Sequence, residues 1–241
     1  HIKNQGLSVI TEIGSFDGQT SIGGNLNITN GLGKSSSTET PAADTTIQRT
    51  GVGKNLDIST THVGGQNILL LSSTISGSTN LRSGSGDDSI VLNDAVFKGR
   101  TRLEAGGGND LVSIGKSSTV LLMKFVTEER TRTKTVYDLV TDPITGETHL
   151  VHRVVEETYM AIVPVKVAVN LAAGSVKFHR TAQMRLGEGD DTLTLANDTV
   201  VSSQTGAVLN GQKGSNTVSV GIGKALGKFR FKHFVAAGGF R

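Results

Sequence analysis

The stretch that decides the fold is Asn80–Leu92, NLRSGSGDDSIVL, because it recurs. Leu103–Ile114 reads LEAGGGNDLVSI, Met184–Leu195 reads MRLGEGDDTLTL, and a weaker copy, Leu209–Val220, reads LNGQKGSNTVSV. Each copy joins an alternating apolar lead-in to a glycine-rich turn carrying Asp or Asn, then to a short strand of alternating apolar residues. Gly86 and Gly108 are 22 residues apart, and Gly189 and Gly214 are 25 apart. Self-similarity at such a period is the signature of a solenoid, in which one repeat forms one rung and buries its apolar face against its neighbours.

Working outward, Asn25–Thr29 (NLNIT) is echoed by Asn55–Ser59 (NLDIS), and Asn67–Leu71 (NILLL) reads as a buried strand. Strand-like pieces also occupy Leu7–Ile13, with Gly14, Gly18, Gly23 and Gly24 as turns, while the polar Gly31–Asp44 reads as a loop. No segment sustains a 3.6-residue apolar period, so no helix is expected. The 241 residues contain 31 glycines and only 4% aromatics, a composition that stacked small aliphatic side chains can still turn into a core. The fold class is therefore all-β: a parallel β-solenoid.

The repeat breaks at Ser118. Two long runs rich in Val, Thr, Tyr and Ile flank TDPITGE, Thr141–Glu147. Asp-Pro-x-x-Gly is strong turn chemistry, since Pro presets φ and Gly supplies a positive one. The reading is a long antiparallel β-hairpin inserted between two rungs. It divides the chain into solenoid rungs 1–117, a hairpin arm 118–175, and further rungs with a closing strand over 176–241. A near-symmetric register about the turn faces Arg130, Arg132 and Lys134 toward Glu156 and Glu157. A two-stranded ribbon is marginal alone in water, so the arm is expected to pack on the solenoid flank or on another subunit. Its candidate contact residues are Val136, Tyr137, Leu139, Leu150 and Tyr159. Lys228–Phe234, KFRFKHF, alternates basic residues with Phe229 and Phe231. Lys228, Arg230 and Lys232 are candidates for contact with an acidic glycan.

Several functions are excluded or disfavoured. With no cysteine there is no disulfide scaffold and no thiolate zinc site. A net charge of +3 does not indicate a nucleic-acid partner. No apolar run reaches the length of a membrane-spanning helix. The six histidines are scattered, and phosphate loops, nucleophile elbows and dinucleotide fingerprints are absent. Adjacent carboxylates such as Asp87–Asp88 and Asp190–Asp191 point to opposite faces of a strand, so they form a poor catalytic dyad. The residues do not point to an enzyme.

The turns SGSGDDSIV, AGGGNDLVS and LGEGDDTLT resemble the nonapeptide of calcium-binding RTX repeats, without its first glycine. That resemblance implies calcium as a candidate cofactor, with Asp88, Asp110 and Asp191 as candidate metal ligands. Unlike that family, the copies here are single rather than tandem. In-register rungs would stack Asp88 over Asp110 about 4.8 Å apart, and calcium or turn amides would have to offset their repulsion. NLNIT, NLDIS and the three Gly/Asp-rich copies also resemble the beta strand repeat segments of large bacterial surface proteins of the planctomycete type. This resemblance implies a secreted or cell-surface location, a structural role in a layer, fibre or adhesin, and self-association through the hairpin. A calcium- or glycan-binding module of a larger secreted protein is the alternative, and a β-helical polysaccharide-active enzyme a further one. The chain opens on His1 without Met or signal peptide and is expected to be a mature product or a segment of a longer protein.

Overall fold

The computed structural model describes the chain apart from residues 7, 15–17, 33–41, 62–63, 116–117, 145–146, 172, 197–198, 202–205, 221–228 and 237–241. The described residues contain strands and no helix. Short strands stack in parallel into three sheets, the faces of a β-solenoid. The first face runs through Ile2–Gly6, Leu26–Leu32, Leu56–Thr60, Thr79–Arg82, Thr101–Glu104, Ala182–Arg185, Ala207–Asn210 and Phe229–Lys232. The second runs from Ser8–Ile13 through Ala42–Gln48, Gln66–Leu71, Ser89–Asn93, Leu111–Ile114, Thr192–Leu195 and Thr217–Val220 to Val235–Ala236. The third, made of shorter strands, stacks Thr20–Ile22, Thr50–Val52, Thr74–Ile75, Val96–Phe97, Val176–Phe178 and Thr199–Val201.

The period-2 pattern turns one side of every strand inward. Ile28, Ile58, Leu81, Leu103, Met184 and Leu209 stack in one column of the first face, each fully buried or nearly so. Ile68, Ile90, Val112, Leu193 and Val218 do the same in the second. Val52, Ile75, Phe97 and Phe178 close the third side. Leu69, Leu71 and Val91, on the other side of the second sheet, form a separate buried cluster.

The hairpin leaves the rung register undisturbed. Leu103 pairs with Met184 and Ile114 with Leu195, just as Leu81 pairs with Leu103. Phe97 and Phe178 stack with ring centroids 5.1 Å apart and planes 9° from parallel. The arm itself is two antiparallel strands, Ser118–Thr141 and Thr148–Leu171, forming a sheet of their own. By compactness the chain divides into a solenoid unit, His1–Leu122 with Ala168–Arg241, and an arm unit, Met123–Val167.

One expectation needs adjustment. The loop over Gly31–Asp44 is shorter at both ends: Gly31 and Leu32 finish one strand and Ala42–Asp44 begin the next. Asn67 donates from Nδ2 to Asp44 Oδ1 at 2.7 Å, and parallel pairing with Gln66–Leu71 draws this polar stretch into the second face. The KFRFKHF strand, Phe229–Lys232, is the last strand of the first face, as expected of a closing strand, and pairs in parallel with Ala207–Asn210.

One corner is built from single left-handed residues. Gly14, Arg49, Ser72, Asp94 and Gly115, with φ of 89°, 45°, 47°, 49° and 70°, turn the chain from the second face toward the third. The corner between the first and second faces is wider and glycine-dependent. Gly187 has φ 110°, and a Cβ there would drive into the carbonyl oxygen of Gly106 one rung away. Gly24 has no atom within 4 Å of where its Cβ would sit and needs no positive φ. We therefore expect Gly187→Ala to cost roughly 2 kcal/mol or more, a fall in thermal midpoint of about 5 °C or more. Gly24→Ala should stay within about 0.5 kcal/mol. Thermal unfolding followed by circular dichroism distinguishes the two. Equal effects would refute the tight stacking at Gly187.

Candidate functional site

Two features stand out from the frame: a column of carboxylates inside the glycine-rich corner, and the surface of the arm.

Rung stacking brings Asp88, Asp110, Asp191 and Asn216 into one column, each no more than 2% exposed. Their side chains clasp the backbone of the preceding rung. Gln66 N donates to Asp88 Oδ1 at 2.9 Å, Asp88 N to Asp110 Oδ1 at 2.9 Å, Asp110 N to Asp191 Oδ1 at 3.0 Å, and Asp191 N to Asn216 Oδ1 at 3.0 Å. A second, exposed column runs the other way. Asn109 N donates to Asp87 Oδ1 at 2.8 Å, Asp190 N to Asn109 Oδ1 at 2.9 Å, and Ser215 N to Asp190 Oδ1 at 2.7 Å. Each corner is thus held from both directions. The turn amides do supply the offset to carboxylate repulsion that stacking requires.

They supply it to one oxygen only. The Oδ2 atoms of Asp88, Asp110 and Asp191 are buried and have no hydrogen-bond partner among the described residues. Burial pushes the Asp88 carboxyl up to about 7, opposed in part by the Ser83 hydroxyl and then by the Gln66 and Gly84 amides. Burial pushes Asp110 up to about 8, and the negative charges of Asp88 and Asp191 add to the effect. Asp191 is raised for the same first cause. Asn216 indicates what the column prefers. Its Nδ2 donates to Gly211 O at 2.7 Å, so a hydrogen-bond donor occupies the place of the second carboxylate oxygen. A protonated Asp offers the same donor. Calcium takes six to eight oxygen ligands. Each rung offers it one unclaimed carboxylate oxygen, and no cluster of three or more metal-ligating side chains forms among the described residues. This donor set does not fit calcium.

The arm's faces follow from its cross-strand contacts. Thr141 and Thr148 meet at 3.0 Å through their hydroxyls, Arg132 donates from Nε and Nη2 to Glu157 Oε2 at 3.0 and 2.9 Å, and Tyr137 lies 6.4 Å from His152 between ring centroids. Partners are of opposite parity, so odd residues of the first strand share a face with even residues of the second. One face then carries Tyr137, Leu139, Leu150, His152 and Val154, with threonines at 135, 141 and 148. The other carries Arg132, Lys134, Asp138, Arg153 and Glu157, with Val136, Val140, Val151, Val155 and Tyr159 among them. Arg153 pairs with Asp138 at 2.8 Å, and the Arg132 guanidinium sits 5.0 Å over the Tyr159 ring.

The sequence-predicted contact residues therefore separate. Tyr137, Leu139 and Leu150 come together on the uncharged face, while Val136 and Tyr159 lie on the charged one. Val154, 66% exposed, belongs with the first group and was missed; cross-strand register supplies the signal for it. Of the charged set, Arg132 meets Glu157, whereas Arg130 pairs along its own strand with Glu128 at 3.4 Å. Arg230 and Lys232 are exposed on the first face of the solenoid, and Lys228 lies outside the described residues. Comparison with known proteins finds no matching family model, no similar curated protein and no similar solved structure.

The acidic column predicts an unusual pH dependence. Its carboxyls ionise near 4 when unfolded and higher when folded, so the folded state binds more protons between those limits. Their contribution to stability is full below about 4 and is lost as pH rises through about 7 and 8. Asp110→Asn, which copies Asn216, should raise the thermal midpoint at pH 8.5 by roughly 2–4 °C and by less at pH 4.5. A variant that melts lower than the parent at pH 8.5 would refute the protonated column.

Proposed function

We propose that the chain is an extracellular structural protein, a β-solenoid subunit of a surface layer, fibre or adhesin, whose arm joins it to further copies. The observation that carries this reading is the uncharged face of the arm. Tyr137 is 64% exposed, Leu139 74% and Leu150 64%, and no Asp, Glu, Lys or Arg interrupts that face from Thr141 and Thr148 down to Thr135 and Val154. Exposed apolar patches of this kind mark interaction sites. A ribbon of threonine, leucine and tyrosine is complementary to another copy of itself, since cross-strand aromatic, β-branched and Thr–Thr pairs are favourable on such a surface. The opposite face, with Arg132–Glu157 and Arg153–Asp138, is fitted to water. Two copies joined by such a face form a closed pair, and joined head to tail they form a filament.

Tyr137→Lys with Leu139→Lys should abolish assembly while leaving the solenoid folded. Sedimentation velocity and negative-stain electron microscopy on the parent and on this variant provide the test. Multimers of the parent that fall to monomers in the variant support the reading. A parent that stays monomeric at every concentration tested refutes it.

A further inference from the structure

We infer that the corner between the third and first faces binds a linear acidic polysaccharide. Four successive rungs cross this corner with three residues each: Gly53–Asn55, Ser76–Ser78, Lys98–Arg100 and His179–Thr181. These turns contain Lys54, Lys98, Arg100, His179 and Arg180, and no Asp or Glu. All five basic side chains are exposed, and Lys54, Lys98, Arg100 and Arg180 make no ion pair among the described residues. The turns are stacked by backbone bonds, Gly77 N to Lys54 O at 2.9 Å, Thr79 N to Arg100 O at 2.8 Å, and Thr101 N to Thr181 O at 3.0 Å. The positive charges therefore gather at one corner over successive rungs, although the hairpin separates Arg100 from Arg180 in sequence.

The corner is also concave. A groove of about 780 Å³ is lined by Lys98, Arg100 and Arg180, with the polar Asn55, Ser76 and Ser78 beside them. Gly77 and Gly99 also line it. A Cβ on Gly99 would collide with the Gly77 carbonyl, so the stacking that requires glycine also keeps the groove open.

The ligand class follows from this layout. Lys54 and Arg180 are three rung steps apart, roughly 14 Å at the spacing of paired strands, so the charges suit a polymer with repeated anionic groups better than one small anion. The lining supplies ion pairs, hydroxyls and an amide but no aromatic ring. Single-stranded nucleic acid is normally held by stacking its bases on aromatic platforms, which are absent here. A chain of sugars bearing carboxylate or sulfate groups uses cations together with hydroxyl and amide partners. The acidic corner of a second copy is a poorer occupant. Its exposed Asp87 and Asp190 already accept turn amides, and its Glu188 is paired with Lys213.

The test is titration calorimetry of the full chain with polygalacturonate, with chondroitin sulfate and with neutral dextran at 0.1 M salt, with duplex DNA as a competitor. Binding to one or both acidic polymers is expected, with none to dextran. The two acidic polymers distinguish carboxylate from sulfate recognition. Replacing Lys98, Arg100 and Arg180 by Ser should weaken binding about tenfold or more with an unchanged thermal midpoint. Replacing Arg132 and Arg153 on the arm by Ser should not weaken it. If the triple variant misfolds, Lys98→Glu alone gives the same reading. Absence of binding, equal binding by the corner variants, or tighter binding of duplex DNA would overturn the inference. None of these outcomes depends on self-assembly through the arm.

Discussion

Parallel stacking in register is the constraint on which the molecule depends. Once one backbone lies a hydrogen bond away from the next, equivalent residues are forced together for the whole length of the column. Apolar columns gain from this, and Phe97 over Phe178 is the largest such pair of side chains. Charged columns do not gain, since like charges about 5 Å apart repel. The chain resolves the conflict differently at different corners. Inside the glycine-rich corner the carboxylates accept turn amides, and burial raises their affinity for protons. On the outer first face, Glu104 sits among Arg82, Arg102 and Arg185. At the corner between the third and first faces Lys54, Lys98, Arg100 and Arg180 make no ion pair among the described residues, and that is why this corner is the place to look for an anion.

The arm obeys a different rule. Its residues repeat with the parity of a free ribbon and not with the period of the rungs. One face concentrates charge in cross-strand pairs, while the other, from Thr141 and Thr148 down to Thr135 and Val154, is left to threonine, histidine and apolar side chains. Exposed pairs such as Arg132–Glu157 contribute little to stability. Their effect is to make one face unambiguously the wet one, which fixes the side on which a partner can lie.

The architecture was legible because glycine and aspartate recur where the chain must turn tightly and cap exposed amides, and because β-branched and leucine residues alternate between those turns. The arm was legible from Thr141–Glu147, whose turn chemistry centres two strands of equal length. The left-handed corner was not. Arg49, Ser72 and Asp94 occupy positions where glycine would be the obvious signal. Nor could the sequence show that Lys98 and Arg180 line one groove, because their proximity exists only after the insertion is skipped. Tyr159 and Val136 looked like partners of Tyr137 by composition; parity alone places them on the other side.

The way the arm is attached has a consequence for how such a molecule can change. Gly174 donates its amide to the carbonyl of Gly115 at 3.0 Å, so the chain leaves the solenoid and returns to it across a single hydrogen bond. The rungs on either side then pair as though nothing intervened. This corner is a socket: any folded unit whose two ends lie a few ångströms apart can be exchanged for the present hairpin without a change to the stacked frame. The scaffold and the part it displays are free to diverge at separate rates.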